Sequence, residues 1–151
     1  MRILVISNNY PSNAAPTYGV FVYNLIQKFV ALGHEVNVIA CSNFIKGGVK
    51  SVSEASYGVE NAKIYYPKVI TASNKWILGY NTHLIGEYFS VRAVKKAVEE
   101  NRIKFDVVYA HFLVNGIIAV KALNDYGKPI YVAEGELKNI NLRKKYYKAV
   151  T

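Results

Sequence analysis

Arg2-Ile3-Leu4-Val5-Ile6-Ser7, followed by Val20 to Leu32 and then Glu35-Val36-Asn37-Val38-Ile39-Ala40, is the stretch whose reading decides the fold. The first segment encloses an unbroken apolar run. Its lack of alternation predicts a strand buried on both faces, as in a parallel sheet. Asn8 to Gly19 holds two prolines and one glycine, which excludes regular structure through most of it. From Val20 to Leu32, Phe21, Leu25, Phe29 and Leu32 recur at i, i+4, i+8 and i+11. That spacing predicts a helix with one apolar stripe and with Gln27 and Lys28 on its wetter side. Gly33-His34 ends the helix, and Glu35–Ala40 reads as a second strand. Strand, loop, helix and strand make one right-handed βαβ unit with parallel strands. Its first loop then opens at the carboxyl edge of the sheet, where ligands bind in open α/β folds.

The remaining chain extends the same pattern. Residues 44–61, with Gly47-Gly48, Gly58 and scattered serines, read as a long loop. Ala62–Pro67 reads as a short strand stopped by proline, and Lys68–Tyr80 as irregular. From Thr82 to Asn101 a long helix is expected, with Leu84, Tyr88, Val91, Lys95 and Val98 along one path. Ile85, Phe89, Ala93 and Ala97 widen its apolar side. Phe105–Ala110 is a further buried strand with His111 at its carboxyl end. Val114–Tyr126 reads as a helix closed by Gly127-Lys128-Pro129, and Pro129–Ala133 as a strand running into Glu134-Gly135-Glu136. Lys138–Ala149 is expected to be a last helix. No repeat or low-complexity segment occurs. The order predicts a doubly wound, mostly parallel α/β sheet.

Composition bounds the function. The chain has 151 residues, 52% of them hydrophobic, enough for one domain with a real core. No apolar run approaches the ~20 residues that cross a bilayer, and the amino-terminal run is too short for a signal-peptide core. One cysteine, Cys41, excludes an intramolecular disulfide framework, so cytoplasm is the expected compartment. A net charge of +9 suits an anionic lipid surface, a phosphorylated ligand or nucleic acid, and equally a solvated basic surface. No nucleic-acid-binding motif accompanies it.

Absent motifs exclude most enzyme classes of this architecture. There is no Gly-x-Gly-x-x-Gly, no P-loop, no Cys-x-x-Cys and no Gly-x-Ser-x-Gly. With only Asp106 and Asp125 there is no Asp-x-Asp, and His34, His83 and His111 are too scattered to argue a metal site. Polar residues at strand carboxyl ends remain. An imidazole at His111 can orient or deprotonate a hydroxyl or donate to a phosphate oxygen; the alternative is a histidine satisfied by backbone. His34, in a turn on the opposite edge, reads as structural. Glu134 and Glu136 flank Gly135 on the same edge as His111, where a glycine admits close approach of a ligand. A plain strand-to-loop turn is the other reading. Gly19, beside Tyr18, stands at the mouth of the first helix and can bring backbone N–H groups to a phosphate, or simply start the helix.

Several of these segments together carry a resemblance. They are Arg2-Ile3-Leu4-Val5-Ile6 with Tyr10-Pro11, Pro16-Thr17-Tyr18-Gly19-Val20-Phe21, Leu32-Gly33-His34-Glu35-Val36-Asn37-Val38, Asp106-Val107-Val108-Tyr109-Ala110-His111-Phe112 with Gly116, and Gly127-Lys128-Pro129. In them the chain resembles the amino-terminal, acceptor-side half of a GT-B glycosyltransferase of the GT4 type. The resemblance implies a Rossmann-like domain over residues 1–151, truncated at its carboxyl-terminal end, with the donor-binding domain absent. It implies sugar transfer without metal or resident cofactor, retaining in stereochemistry, from a sugar nucleotide to a saccharide or lipid-linked acceptor. Polysaccharide or glycolipid synthesis at the inner membrane face is the implied setting, with peripheral contact to anionic lipid and no nucleic acid. His111 would lie near the reacting sugar or acceptor hydroxyl as the catalytic candidate. Tyr18, Gly19, Glu134, Gly135 and Glu136 would line the substrate site. Where the family often has His-Gly followed by Ser or Asp, this chain has Glu134-Gly135-Glu136, and its first loop lacks the paired glycines common in the group. The fragment alone would be inactive. The rival reading is a non-catalytic α/β binding module, or a subunit of a split enzyme, docking on an anionic membrane.

Overall fold

The computed structural model describes residues 1–12, 15–43, 58–70, 76–77, 80–81 and 83–134. In chain order these form β1 (Arg2–Ile6), α1 (Val20–Ala31), β2 (Glu35–Ile39), β3 (Ser42–Asn43), β4 (Ala62–Tyr65), β5 (Lys68–Val69), β6 (Trp76–Ile77) and β7 (Tyr80–Asn81). Then follow α2 (His83–Glu100), β8 (Val107–His111), α3 (Leu113–Leu123) with a 3-10 turn at Asn124–Tyr126, and β9 (Ile130–Ala133). Five strands make one sheet in the order β4-β2-β1-β8-β9, every neighbouring pair parallel. This is the doubly wound α/β arrangement. The chain works outward from β1 to one edge, returns beside it as β8, and works outward to the other edge. The reversal lies between β1 and β8.

The central strand explains the two-layer core. Leu4 and Ile6 face one side of the sheet and pack with Val94 and Val98 of α2 and Ile118 and Ala119 of α3. Ile3 and Val5 face the other and pack with Val22 and Ile26 of α1. Each such side chain, fully buried, contributes about 1.5–3 kcal/mol. A strand buried on both faces has no polar face to show, which is why β1 lacks alternation. At its amino end, Arg2 donates from Nη2 and Nε to the Asp106 carboxylate, at 2.5 and 3.2 Å to Oδ1. That pairing ties β1 to the entry of β8 and holds the Asp106 carboxyl down at about 2.

Three sequence expectations change. The buried stripe of α1 is Val22 and Ile26, not Phe21 and Leu32, which are 48% and 71% exposed. The helix is rotated so that Phe21 meets His111 instead of the core. In α2 the buried face runs through Gly86, Glu87, Ser90, Val94, Ala97 and Val98, whereas Leu84, Ile85 and Tyr88 are exposed. Small residues let α2 lie close to α3, and the buried Glu87 carboxylate accepts a hydrogen bond from Lys121 Nζ of α3. Lys68–Tyr80 is not irregular throughout: β5 pairs with β3, and β6 with β7. The expected loop lies largely, and the expected Lys138–Ala149 helix wholly, outside the described residues.

Candidate functional site

Two connections meet at the carboxyl edge where the strand order reverses, and each is pinned by its own sequence. After β1, the buried Ser7 turns the chain: its Oγ donates to the Asn9 carbonyl (3.0 Å) and accepts from the Asn9 N–H (3.1 Å). Tyr10 is buried against Tyr23 and Tyr66, with centroids 6.2 and 6.1 Å away. Tyr66 donates its O–H to the Pro11 carbonyl at 3.0 Å. Tyr18 donates to Asn9 Oδ1 at 2.7 Å and is half exposed. Gly19 caps α1 in the left-handed region, at φ 76°. A Cβ there would overlap the Asn9 carbonyl and come within 2.6 Å of Tyr10 N, so the loop closes on itself only because this residue has no side chain. No side chain caps α1, and its first turn carries no acidic residue.

The connection from β8 to α3 carries His111. Phe112, next in line, has φ 69° and ψ 150°. A bulky side chain in that region costs about 1–3 kcal/mol and persists only where the surroundings enforce it. Here the Phe112 N–H donates to Ala133 O (2.7 Å), Asn115 Nδ2 donates to His111 O (2.5 Å), and Gly116 N donates to Phe112 O (3.0 Å). The Leu113 N–H at the mouth of α3 donates to Glu134 Oε2 at 2.9 Å. Glu134 thus brings its negative charge to the helix N-terminus, a favourable placement. Nothing in the local sequence announces this, because donor and acceptor are 21 positions apart.

His111 is half-buried between aromatic rings. Phe112 stands edge-on at 4.4 Å between centroids, and Phe21 of α1 lies at 4.9 Å. Burial lowers the imidazole pKa below its ordinary value, while the Glu134 charge pulls the other way. The ring is therefore mainly neutral at pH 7. Its Nδ1 lies 3.1 Å from the Tyr109 hydroxyl, whose own pKa is raised by burial. A phenol that keeps its proton can donate to Nδ1, which puts the imidazole proton on Nε2 and makes His111 a donor. Accepting from Nδ1–H instead leaves Nε2 as a base. Tyr109 was not singled out from sequence. As a strand residue two positions before His111 it shares that face, and this period-2 relation was the available signal.

The structure brings His111, Phe21 and Glu134 to one edge, and Tyr18 and Gly19 lie on the loop opening there. Gly135 and Glu136 lie outside the described residues. Two more polar groups follow the same two strands. Asn8 Oδ1 and Asn115 Oδ1 are buried with no hydrogen-bond partner among the described residues. Each such orphan acceptor costs about 1–3 kcal/mol unless a water or a ligand donor reaches it. His34 lies on the opposite edge against Phe29. Among the described residues, no three His, Cys, Asp or Glu side chains gather as a metal site would require, and no helix is long and apolar enough to cross a membrane.

No protein-family model and no curated protein sequence matches the chain. Solved structures do. The carboxyl-terminal domain of a hydrogenase from Pyrococcus furiosus superposes with a TM-score of 0.51 at 19% identity, over 87% of this chain and 89% of that one. A UGT transferase from Siraitia grosvenorii, solved with UDP, gives 0.47 at 11% identity over 87% of this chain and 27% of its own. The glycotransferase of kitacinnamycin gives 0.47 at 15% identity over 98% and 37%. At these identities the hydrogenase domain shares the parallel α/β fold and nothing further follows from it.

Proposed function

We propose that this chain is the acceptor-side domain of a GT-B glycosyltransferase of the GT4 type, acting with a separate donor-binding domain on a sugar nucleotide. One observation carries the reading: the half-buried imidazole of His111 sits at the reversal point of the sheet between the rings of Phe21 and Phe112. Aromatic rings there suit the apolar face of a sugar, and a neutral imidazole suits a hydroxyl, either as donor or as base. The unpartnered carbonyls of Asn8 and Asn115 fit a hydroxyl-rich ligand or its bound water. In this reading His111 is the catalytic candidate and Tyr18 and Gly19 shape the substrate loop. Glu134 contributes to the substrate site, as do Gly135 and Glu136, which follow it in the sequence. Transfer proceeds without metal and with retention, within polysaccharide or glycolipid synthesis.

The test is turnover of sugar nucleotides by the full-length protein. Replacing His111 with alanine is expected to lower turnover at least ~100-fold, the scale of a lost acid–base or positioning group, with the circular dichroism spectrum unchanged. Near-normal turnover removes His111 from the mechanism.

A specific observation favours a second reading, a non-catalytic module docking on anionic lipid. The exposed Leu84, Ile85 and Tyr88 of α2 stand beside Arg92, whose guanidinium lies 5.7 Å from the Tyr88 ring centroid, with Lys95 and Lys96 following. Apolar and basic residues on one helix face suit a lipid interface. Salt-sensitive sedimentation with anionic vesicles, with no turnover of any sugar nucleotide, would favour this reading.

A further inference from the structure

The amino edge of the sheet, opposite His111, holds a second concave site. Parallel register places Leu4 beside Asn37 and Asn37 beside Lys63, while Arg2 pairs with Glu35. Alternation then puts Arg2, Asn37 and Lys63 on the α2 side of the sheet, the face on which Leu4, Ile39 and Tyr65 pack in the core. At the end of α2 the chain turns through Arg102, with φ 49°, and the Ile103 N–H donates to Val98 O at 3.0 Å. This turn closes a solvent-open cleft of about 190 Å³ lined by Arg2, Lys63, Arg102, Lys104, Glu35 and Asn37.

Two independent features mark it as more than a solvated surface. Arg2 is held by Asp106, but the other three cations of the lining, Lys63, Arg102 and Lys104, form no ion pair among the described residues, and Glu35 is the one carboxylate in the lining. Asn37, only 4% exposed, lines this cleft. Valine or isoleucine is the expected occupant of such a central strand position, as at Val36, Val38 and Ile39. A nearly buried amide there is tolerated because water or a ligand in the cleft can bond to it.

We propose that this cleft binds the phosphoryl group of a small soluble metabolite, with Asn37 as the fixed donor on its floor. Lys63, Arg102 and Lys104 supply the charge that a dianion requires. The site is independent of the transferase reading. It lies roughly 15 Å from His111, the length of a five-residue strand.

The probe is inorganic phosphate, titrated into the ¹⁵N-labelled 151-residue chain and followed by NMR. Saturable shifts are expected at the Asn37 side-chain amide and at the Arg102 and Lys104 backbone amides. Paired charge reversal, Lys63→Glu with Lys104→Glu, alters only exposed side chains and is expected to weaken binding at least about tenfold, as loss of charge-assisted hydrogen bonds should. Asn37→Leu removes the donor and is expected to weaken it by about tenfold as well. If that variant fails to fold, the charge-reversed pair still decides. Non-saturating shifts, or saturable binding unchanged by the charge reversals, overturn the site. Vesicles of phosphatidic acid that sediment the wild type but not Asn37→Leu would assign the cleft to a lipid headgroup and overturn the soluble ligand.

Discussion

Replacing Gly19 with alanine tests whether the loop after β1 is held by backbone contact. The methyl group would overlap the Asn9 carbonyl and stand 2.6 Å from Tyr10 N, on a residue kept at φ 76°. The left-handed conformation alone costs an L-residue about 1–2 kcal/mol. The overlap is with backbone, so no rotamer relieves it, and the forced shift adds about 1–3 kcal/mol. Gly33 supplies the control. It has φ 80°, yet a Cβ there meets no heavy atom within 4 Å, so Gly33→Ala should show the conformational cost by itself. Urea unfolding of both variants, with unchanged m-values, should therefore place Gly19→Ala about 1–3 kcal/mol below Gly33→Ala. The two variants also separate by position. Displacing the Asn9–Tyr10 peptide should disturb the Tyr18–Asn9 hydrogen bond at the reversal-point edge, whereas Gly33 lies at the other edge. Equal destabilisation within about 0.5 kcal/mol would refute the claim that Gly19 is required by contact rather than by its φ angle.

Other outcomes follow from the same geometry. The folded state disfavours protonated His111, so the unfolded chain binds the extra proton first as pH falls through its ordinary value of 6.5. Stability should then fall as pH drops from about 7 toward the lowered folded value, and this component should vanish in His111→Gln. The Asp106 contribution behaves separately, being present above its ordinary 3.8 and lost as pH falls toward about 2. Tyr109→Phe should change the ¹⁵N tautomer signature of His111 while leaving the fold intact; identical ring-nitrogen shifts would remove Tyr109 as the group that sets the tautomer. In the α2–α3 contact, Lys121→Ala leaves a buried carboxylate without its cation. It should destabilise more than Glu87→Gln, after which the half-exposed Lys121 side chain is solvated. Thermal unfolding of the pair decides, and the reverse order contradicts the assignment.

What the sequence determined by itself is the set of elements and their order. Short apolar runs without alternation, such as Ile3–Ile6, occur where both faces of a strand are covered, and that pattern is local. The parallel strand direction implied by the βαβ pattern then carried His111 and the loop before Gly19 to one edge of the sheet. Faces and partners were decided only by the tertiary structure. Periodicity put Phe21 and Leu32 in the α1 core because it counts apolar residues. It cannot see that Val22 and Ile26 suffice to cover the sheet and that Phe21 is taken up by His111. Glu134 at the mouth of α3, Arg2 on Asp106, the buried Glu87 under Lys121, and Asn37 on the floor of a basic cleft all join residues far apart in sequence. Such pairs exist only after parallel strands are brought into register, because a parallel crossover sets neighbours that no local spacing encodes.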